Sequence, residues 1–245
     1  MTRTFDISGL VFLIVAVMGL GVMVALAAHF YSASRRGALN AAVVTPLIPA
    51  QAAERGWGYI AHAPERAKYF TAYPFFPHFY MRVHDVVWGT VDGRPFETFA
   101  LSLPENTFAS AGDGKNSSEA TDFQVVWIGL KAPLPRVQFT RDGSAWRKMA
   151  QLGSARVDVE SGAFNRLWEA YSSDARVCHA ILGPRLIERL MAPDARVLDY
   201  TFEGSALMTS VPYLTDLAPI EAMVRTLYAV ADLVPPFLFE PHEGA

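Results

Sequence analysis

The stretch from Met81 to Leu103, MRVHDVVWGTVDGRPFETFALSL, carries the clearest local signal in the chain and decides the fold class. Two runs of strand-forming residues flank Asp92-Gly93, and an Asp-Gly pair between apolar runs is typical of a type I′ turn. From Phe99 onward, apolar side chains alternate with small or polar ones, so one face of the second run is apolar. The sequence therefore predicts a β-hairpin here.

Further strands are predicted downstream of the hairpin, at residues 123–130, 136–140, 155–160, 196–202 and 206–211. Pro133 and Pro135 separate the first two of these strands, because proline cannot donate to a sheet ladder. The run FNRLWEAY at 164–171 fits either a strand or a helix on its pattern alone.

Helical periodicity is confined to the second half of the chain. Residues 174–190 show one apolar face that Gly183-Pro184 divides into two helices, and a last helix over 215–231 ends before Pro235-Pro236. Strands therefore come first and helices gather toward the C-terminus. This order predicts an α+β fold, with a mostly antiparallel sheet and helices packed toward the C-terminus.

An apolar run near the start, LVFLIVAVMGLGVMVALAA at residues 10–28, contains no charge and no proline. At about 1.5 Å per residue it reaches roughly 28 Å, close to the hydrocarbon thickness of a bilayer. We expect a single membrane-spanning helix over residues 10–30 that anchors the protein in the bilayer. Its members include Leu10, Phe12, Gly21, Ala25 and Ala28.

A cleaved signal peptide is the alternative, because Ala25-Leu26-Ala27 offers a small-x-small cleavage pattern. The apolar run is longer than the usual core of a signal peptide, and Asp6 lies among the residues before it. A retained anchor is the preferred interpretation. Arg35 and Arg36 follow the run, so the positive-inside rule places the rest of the chain on the cytoplasmic side of the cell membrane.

The domain organisation follows from these boundaries. We expect an N-terminal flank at 1–9, the helix at 10–30, an alanine- and proline-containing linker at 31–54, an α+β domain at 55–234 and a tail at 235–245. The domain is either one unit or two halves, 55–150 and 155–234.

Composition excludes several function classes. Lys and Arg number 21 against 24 Asp and Glu, for a net charge of -3, which argues against nucleic acid as the main partner. The single cysteine excludes an intramolecular disulfide and a multi-cysteine zinc site. No glycine-rich phosphate motif occurs, and the scattered histidines lack metal-ligand spacing, so no cofactor or metal is expected.

Two groups of residues are candidates for a catalytic role. Cys178 and His179 are adjacent, and adjacent helical side chains point about 100° apart, so the pair is not expected to act together. Glu160 and Glu188 could flank a pocket as an acid and a base. The preferred interpretation is that Glu160 lies in a turn and that Glu188 pairs with Arg185 or Arg189 on a solvated helix face.

Aromatic residues are concentrated in the run YFTAYPFFPHFY at residues 69–80. These rings fill the core beneath the hairpin, form a surface for a protein partner, or lie at the bilayer surface. A similar segment follows Pro235-Pro236. The candidate interaction surface comprises Tyr69, Phe70, Tyr73, Phe75, Phe76, Phe79, Tyr80, Phe237 and Phe239.

The string from Val157 to Met191 resembles the core signature of a bacterial family of uncharacterised membrane-associated proteins, the domain of unknown function 3137. The resemblance covers roughly residues 55 to 212 and includes Arg55-Gly56-Trp57 and the hairpin. It implies a fold type and a membrane association, and it implies no reaction. The matching positions are Glu160, Ser161, Phe164, Asn165, Trp168, Ser172, Asp174, Leu182, Pro184, Ile187 and Glu188.

Together these observations predict a single-pass membrane protein that is not an enzyme and acts as an interaction or accessory module for a membrane protein partner. The alternative is a membrane-tethered domain that binds a small apolar ligand or a lipid in a pocket between sheet and helices. A hydrolase built around Glu160, Glu188 or Cys178 is the third hypothesis.

Overall fold

A computed structural model describes residues 47–69, 82–103, 121–141 and 154–240. Within these ranges the strands are β1 (Gly58–His62), β2 (Arg82–Val91), β3 (Arg94–Leu103), β4 (Thr121–Arg141), β5 (Ala155–Val157), β6 (Trp168–Ser172) and β7 (Tyr200–Pro212). The helices are α1 (Leu47–Glu54), α2 (Gly162–Asn165), α3 (Ala175–Ile181), α4 (Pro184–Met191) and α5 (Ala218–Ala231), with 3-10 turns at Pro64–Tyr69 and Pro236–Phe239.

The described strands form one antiparallel sheet in the order β1-β2-β3-β4-β6-β5. The 21-residue β4 is its longest strand, and its first part pairs with β3 while its last part pairs with β6 along the same edge. Strand β7 pairs with the opposite edge of β4. The prediction of a mostly antiparallel α+β fold with helices toward the C-terminus is confirmed for this part of the chain.

The predicted hairpin is present as β2 and β3. Asp92 and Gly93 both have positive φ, 53° and 77°, as a type I′ turn requires. Val91 pairs with Arg94 beside the turn, and the ladder shifts by one residue farther along, between His84 and Val87. This β-bulge contains Asp85, whose φ is also positive at 50°.

Two pairs of predicted strands prove to be single strands. Strand β4 continues through Pro133 and Pro135, and its pairing with β7 shifts register on both sides of Leu134. The prolines therefore interrupt the ladder without ending the strand. Strand β7 continues through Gly204, whose φ of 55° allows the chain to turn locally without leaving the sheet. The predicted strand at 155–160 is shorter, ending at Val157.

The ambiguous run at 164–171 contains both structures. The short helix α2 begins after Ser161, whose hydroxyl accepts a hydrogen bond from the Phe164 N–H, and β6 follows from Trp168. The predicted division at Gly183-Pro184 is observed, because α4 begins with Pro184 at its first position.

Helices and sheet enclose the main core on one face of the sheet. Its largest fully buried side chains include Trp168, Phe139, Phe202 and Tyr200. A smaller cluster lies on the other face and includes Val86, Phe99, Leu101, Phe123, Val125 and Met208. The alternation of these two sets along each strand is what a sheet with two apolar faces requires.

Helix α1 lies in the second part of the segment that the sequence assigns to a linker. Ile48 and Ala52 are buried in the main core, and the Gln51 side chain accepts a hydrogen bond of 2.7 Å from the Leu217 N–H before α5. The predicted membrane span lies outside the described residues. Among the helices that are described, the longest has 14 residues, and none is long and apolar enough to cross a bilayer.

Candidate functional site

A row of cross-strand neighbours contains two tryptophans and a carboxylate. Gly58 on β1 pairs with Trp88 on β2, Trp88 pairs with Glu97 on β3, and Glu97 pairs with Trp127 on β4. Paired residues in adjacent strands point to the same face, so two tryptophans flank one carboxylate. Trp127 in turn pairs with Met208, a member of the smaller cluster. The row therefore lies on the face opposite the main core.

The row borders an open groove of about 390 Å³ that we call the tryptophan groove. Its walls are mainly apolar. Trp88 is 43% exposed, whereas tryptophan side chains in folded proteins are on average largely buried. The residues that line it include Arg66, Trp88, Pro95, Glu97, Trp127 and Gly129.

Glycine at position 58 allows the Trp88 ring to lie flat across β1. A Cβ atom placed on Gly58 would come within 2.3 Å of the Trp88 indole. On the other face, a Cβ atom on Gly89 would come within 2.3 Å of the buried Trp57 indole. Both glycines are therefore needed for close approach of an indole to the backbone.

Glu97 is the carboxylate of the groove and is only 8% exposed. Burial raises the pKa of Glu97, although the Arg66 guanidinium at 3.3 Å and the Trp127 N–H at 3.3 Å act in the opposite direction. The groove thus combines aromatic walls with one ion pair, between Arg66 and Glu97. This chemistry suits recognition of a partner that presents apolar side chains.

A second open groove, of about 560 Å³, lies between the β5–α2 connection and the helices α3 and α4. The structure brings Glu160 and Glu188 to this groove together with His179. Of the two arginines expected to pair with Glu188, Arg185 and Arg189, the second instead forms a bidentate ion pair with Asp194. In the part of the chain that is described, no three His, Cys, Asp or Glu side chains are placed to hold a metal ion.

Cys178 is fully buried in the main core, whereas His179 lines the second groove. Burial raises the pKa of the Cys178 thiol to about 12, so almost none of it is thiolate at neutral pH. The adjacent pair therefore points in two directions, as the helical geometry predicts. Cys178 acts as a small apolar side chain of the core.

The predicted aromatic surface is only partly described. Tyr69 ends a 3-10 turn. The five anchor residues lie outside the described residues, and so do six of the aromatic residues: Phe70, Tyr73, Phe75, Phe76, Phe79 and Tyr80. Phe237 is 54% exposed, while Phe239 packs against the main core. The segment after Pro235-Pro236 therefore docks through one ring and presents the other outward.

A polar network around the buried Asp85 lies at the β2 bulge, and the sequence pattern does not predict it. The Asp85 carboxylate accepts hydrogen bonds from the Tyr59 hydroxyl at 2.8 Å and the Tyr213 hydroxyl at 3.3 Å, and it lies 2.9 Å from His84 Nδ1. His84 Nε2 lies 3.0 Å from Ser102 Oγ. Burial raises the pKa of Asp85, but hydrogen bonds from His84, Tyr59 and Tyr213 outweigh it and hold that pKa below its usual value.

Comparison with protein-family models and with curated proteins finds no match. Among solved structures, this chain is similar to the crystal structure of the mycobacterial trehalose monomycolate transport factor A, TtfA. The two share 14% sequence identity over 81% of this chain and 97% of that chain, with a TM-score of 0.59. At that level of identity the likeness establishes a shared fold.

Proposed function

We propose that this chain is a single-pass membrane protein whose α+β domain acts as an interaction module for a membrane protein partner. The tryptophan groove is the observation that carries the proposal. Its Trp88 is a large, exposed aromatic side chain beside a second tryptophan and the ion pair between Arg66 and the buried Glu97. Tryptophan and arginine are enriched among the residues that dominate binding at protein interfaces.

The anchor and the sidedness belong to the same proposal. The apolar run at 10–28 would tether the domain to the bilayer, and Arg35 and Arg36 favour the cytoplasmic side. The fold shared with a mycobacterial transport factor for trehalose monomycolate supports an accessory role in membrane lipid handling.

The test is affinity purification of the full chain from membranes solubilised in mild detergent. Trp88→Ala removes the exposed indole, and Leu167→Ala is the matched control, because Leu167 is an exposed apolar residue of 44% exposure outside the groove. We expect a defined membrane protein to co-purify with the wild-type chain and with Leu167→Ala, and to be lost with Trp88→Ala. Equal recovery with both variants would refute the role of the groove.

Binding of an apolar small molecule or lipid is the second candidate. The described interior between sheet and helices is occupied by fully buried side chains such as Trp168 and Phe139, so such a ligand would occupy the tryptophan groove instead. Native mass spectrometry of the purified chain tests this candidate. A lipid adduct that is retained by Leu167→Ala and lost in Trp88→Ala would favour it over a protein partner.

A further inference from the structure

The β-bulge at Asp85 changes which side chains meet across the hairpin. From Val91 to Val87 the ladder is regular, and its continuation without a bulge would place His84 opposite Leu101. The extra residue places His84 opposite Ala100 instead, on the same face as Ser102 at the diagonal position. The bulge is therefore the feature that brings the imidazole within 3.0 Å of the hydroxyl.

The bulge is also the strained point of the strand. Asp85 has a φ of 50°, in the left-handed region that L-residues seldom occupy, and it is only 5% exposed. Such backbone is retained where surrounding contacts fix it, and it is concentrated at functional sites. Here the surrounding contacts include hydrogen bonds to the Asp85 carboxylate from two tyrosine hydroxyl groups. Tyr59 lies in β1, and Tyr213 directly follows the end of β7.

The positions of the protons follow from the hydrogen-bond partners. A carboxylate only accepts hydrogen bonds, so His84 Nδ1 carries a proton and donates it to Asp85. In the tautomer that carries its one ring proton on Nδ1, His84 Nε2 is an acceptor and the Ser102 hydroxyl donates to it. A serine, a histidine and a carboxylate in this order form the hydrogen-bond relay that activates a serine oxygen as a nucleophile.

We propose that Ser102, His84 and Asp85 form an acyl-transfer site that acts on carboxylic esters. Ser102 is the nucleophile, His84 is the general base, and Asp85 is the positioning residue that fixes the tautomer of His84. Ser102 is partly exposed, and the His84 side chain is 26% exposed, so a small ester can reach both. This role goes beyond the proposed interaction function, and it would replace the sequence-based expectation that the protein is not an enzyme.

The reaction balances with water as the only co-reactant. Ser102 Oγ bonds to the carbonyl carbon of the ester while its proton passes to His84 Nε2. The bond to the alcohol oxygen then breaks, and the alcohol leaves with that proton. Water attacks the acyl-serine through the same base, which releases the carboxylic acid and restores the serine hydroxyl.

The test uses the full chain in mild detergent and a fluorophosphonate probe, from which a serine oxygen displaces fluoride to form a stable adduct. We expect the adduct at Ser102 by peptide mass spectrometry and its loss in Ser102→Ala. Ser210→Ala is the matched control, because Ser210 is another partly exposed strand serine, which pairs with Val125. Absence of labelling in the folded wild-type chain, or an adduct at another serine, would overturn the proposal.

Two further variants separate the relay from a structural role. His84→Gln should lower the labelling rate about 100-fold or more while Ser102 remains present. Asp85→Asn presents a donor to the ring, reverses the tautomer and should lower the rate similarly. A merely structural network would lower the urea midpoint of these variants and leave the labelling rate of the folded fraction unchanged, which would refute the assignment.

Discussion

Substitution of Gly89 and Gly58 by alanine tests how the sheet accommodates its indole rings. The two glycines lie on adjacent strands, and each would place a new Cβ atom 2.3 Å from an indole. The difference is in the ring that must move. Trp57 is 9% exposed and packs edge-on against Phe96 at 4.8 Å, whereas Trp88 is 43% exposed.

The buried ring makes Gly89→Ala the costly substitution. Inserting a methyl group into a packed core lowers the free energy of unfolding by about 1–3 kcal/mol. Replacing glycine by alanine also restricts the unfolded chain, which raises the free energy of unfolding by about 0.4–1 kcal/mol. We expect a net loss of about 1–2 kcal/mol in the free energy of unfolding, or about 2–8 °C in Tm for a domain of this size. Gly58→Ala should cost less than about 0.5 kcal/mol, because the exposed Trp88 ring can turn away.

Urea unfolding of the full chain followed by far-UV circular dichroism measures both effects without relying on tryptophan emission. A fall in the midpoint at unchanged slope for Gly89→Ala, together with a near wild-type midpoint for Gly58→Ala, is expected. Gly58→Ala should nevertheless lose the partner, because the displaced indole no longer borders the tryptophan groove. Equal destabilisation by both variants would show that Trp88 is held as firmly as Trp57 and would refute this reasoning.

Two further predictions concern the bulge and β7. The pKa of Asp85 is lowered in the folded state, so the stability that its carboxylate contributes is present above the unfolded-state pKa and is lost as the pH falls through the folded-state pKa. The urea midpoints of the wild type and of Asp85→Asn should therefore differ at pH 6 and converge at pH 3. A difference that stays constant between the two pH values would contradict this. Gly204→Ala should lower the free energy of unfolding by about 1 kcal/mol, because the φ of 55° is unfavourable for alanine. The loss comes from the backbone alone, since no atom lies within 4 Å of the new Cβ. An unchanged midpoint in thermal unfolding would show that the backbone relaxes.

Local signals allowed much of the fold to be predicted. The Asp92-Gly93 turn determines the register beside it, so the pairing of Trp88 with Glu97 follows directly from the sequence. The division at Gly183-Pro184 is equally local, because proline suits the first position of a helix and glycine tolerates the break before it. Strand pairing across Pro133 could not be predicted, since it depends on contacts with β7 that lie far along the chain.

The site residues were harder to predict for the same reason. Trp127 joins the row only through the register between β3 and β4, which no short turn determines. The relay at Ser102 requires a one-residue bulge, and Asp85 at a left-handed position leaves no distinctive signal in the sequence. The sequence therefore gives no reason to bring His84, Asp85 and Ser102 together.

Site-specific photo-crosslinking in the native membrane tests the central claim most directly. A benzophenone amino acid is placed at position 88 in the tryptophan groove, and at position 167 as the control of equal exposure. We predict a light-dependent adduct with one defined membrane protein from position 88 and none from position 167. No adduct from position 88, or the same adducts from both positions, would contradict an interaction module that binds through the tryptophan groove.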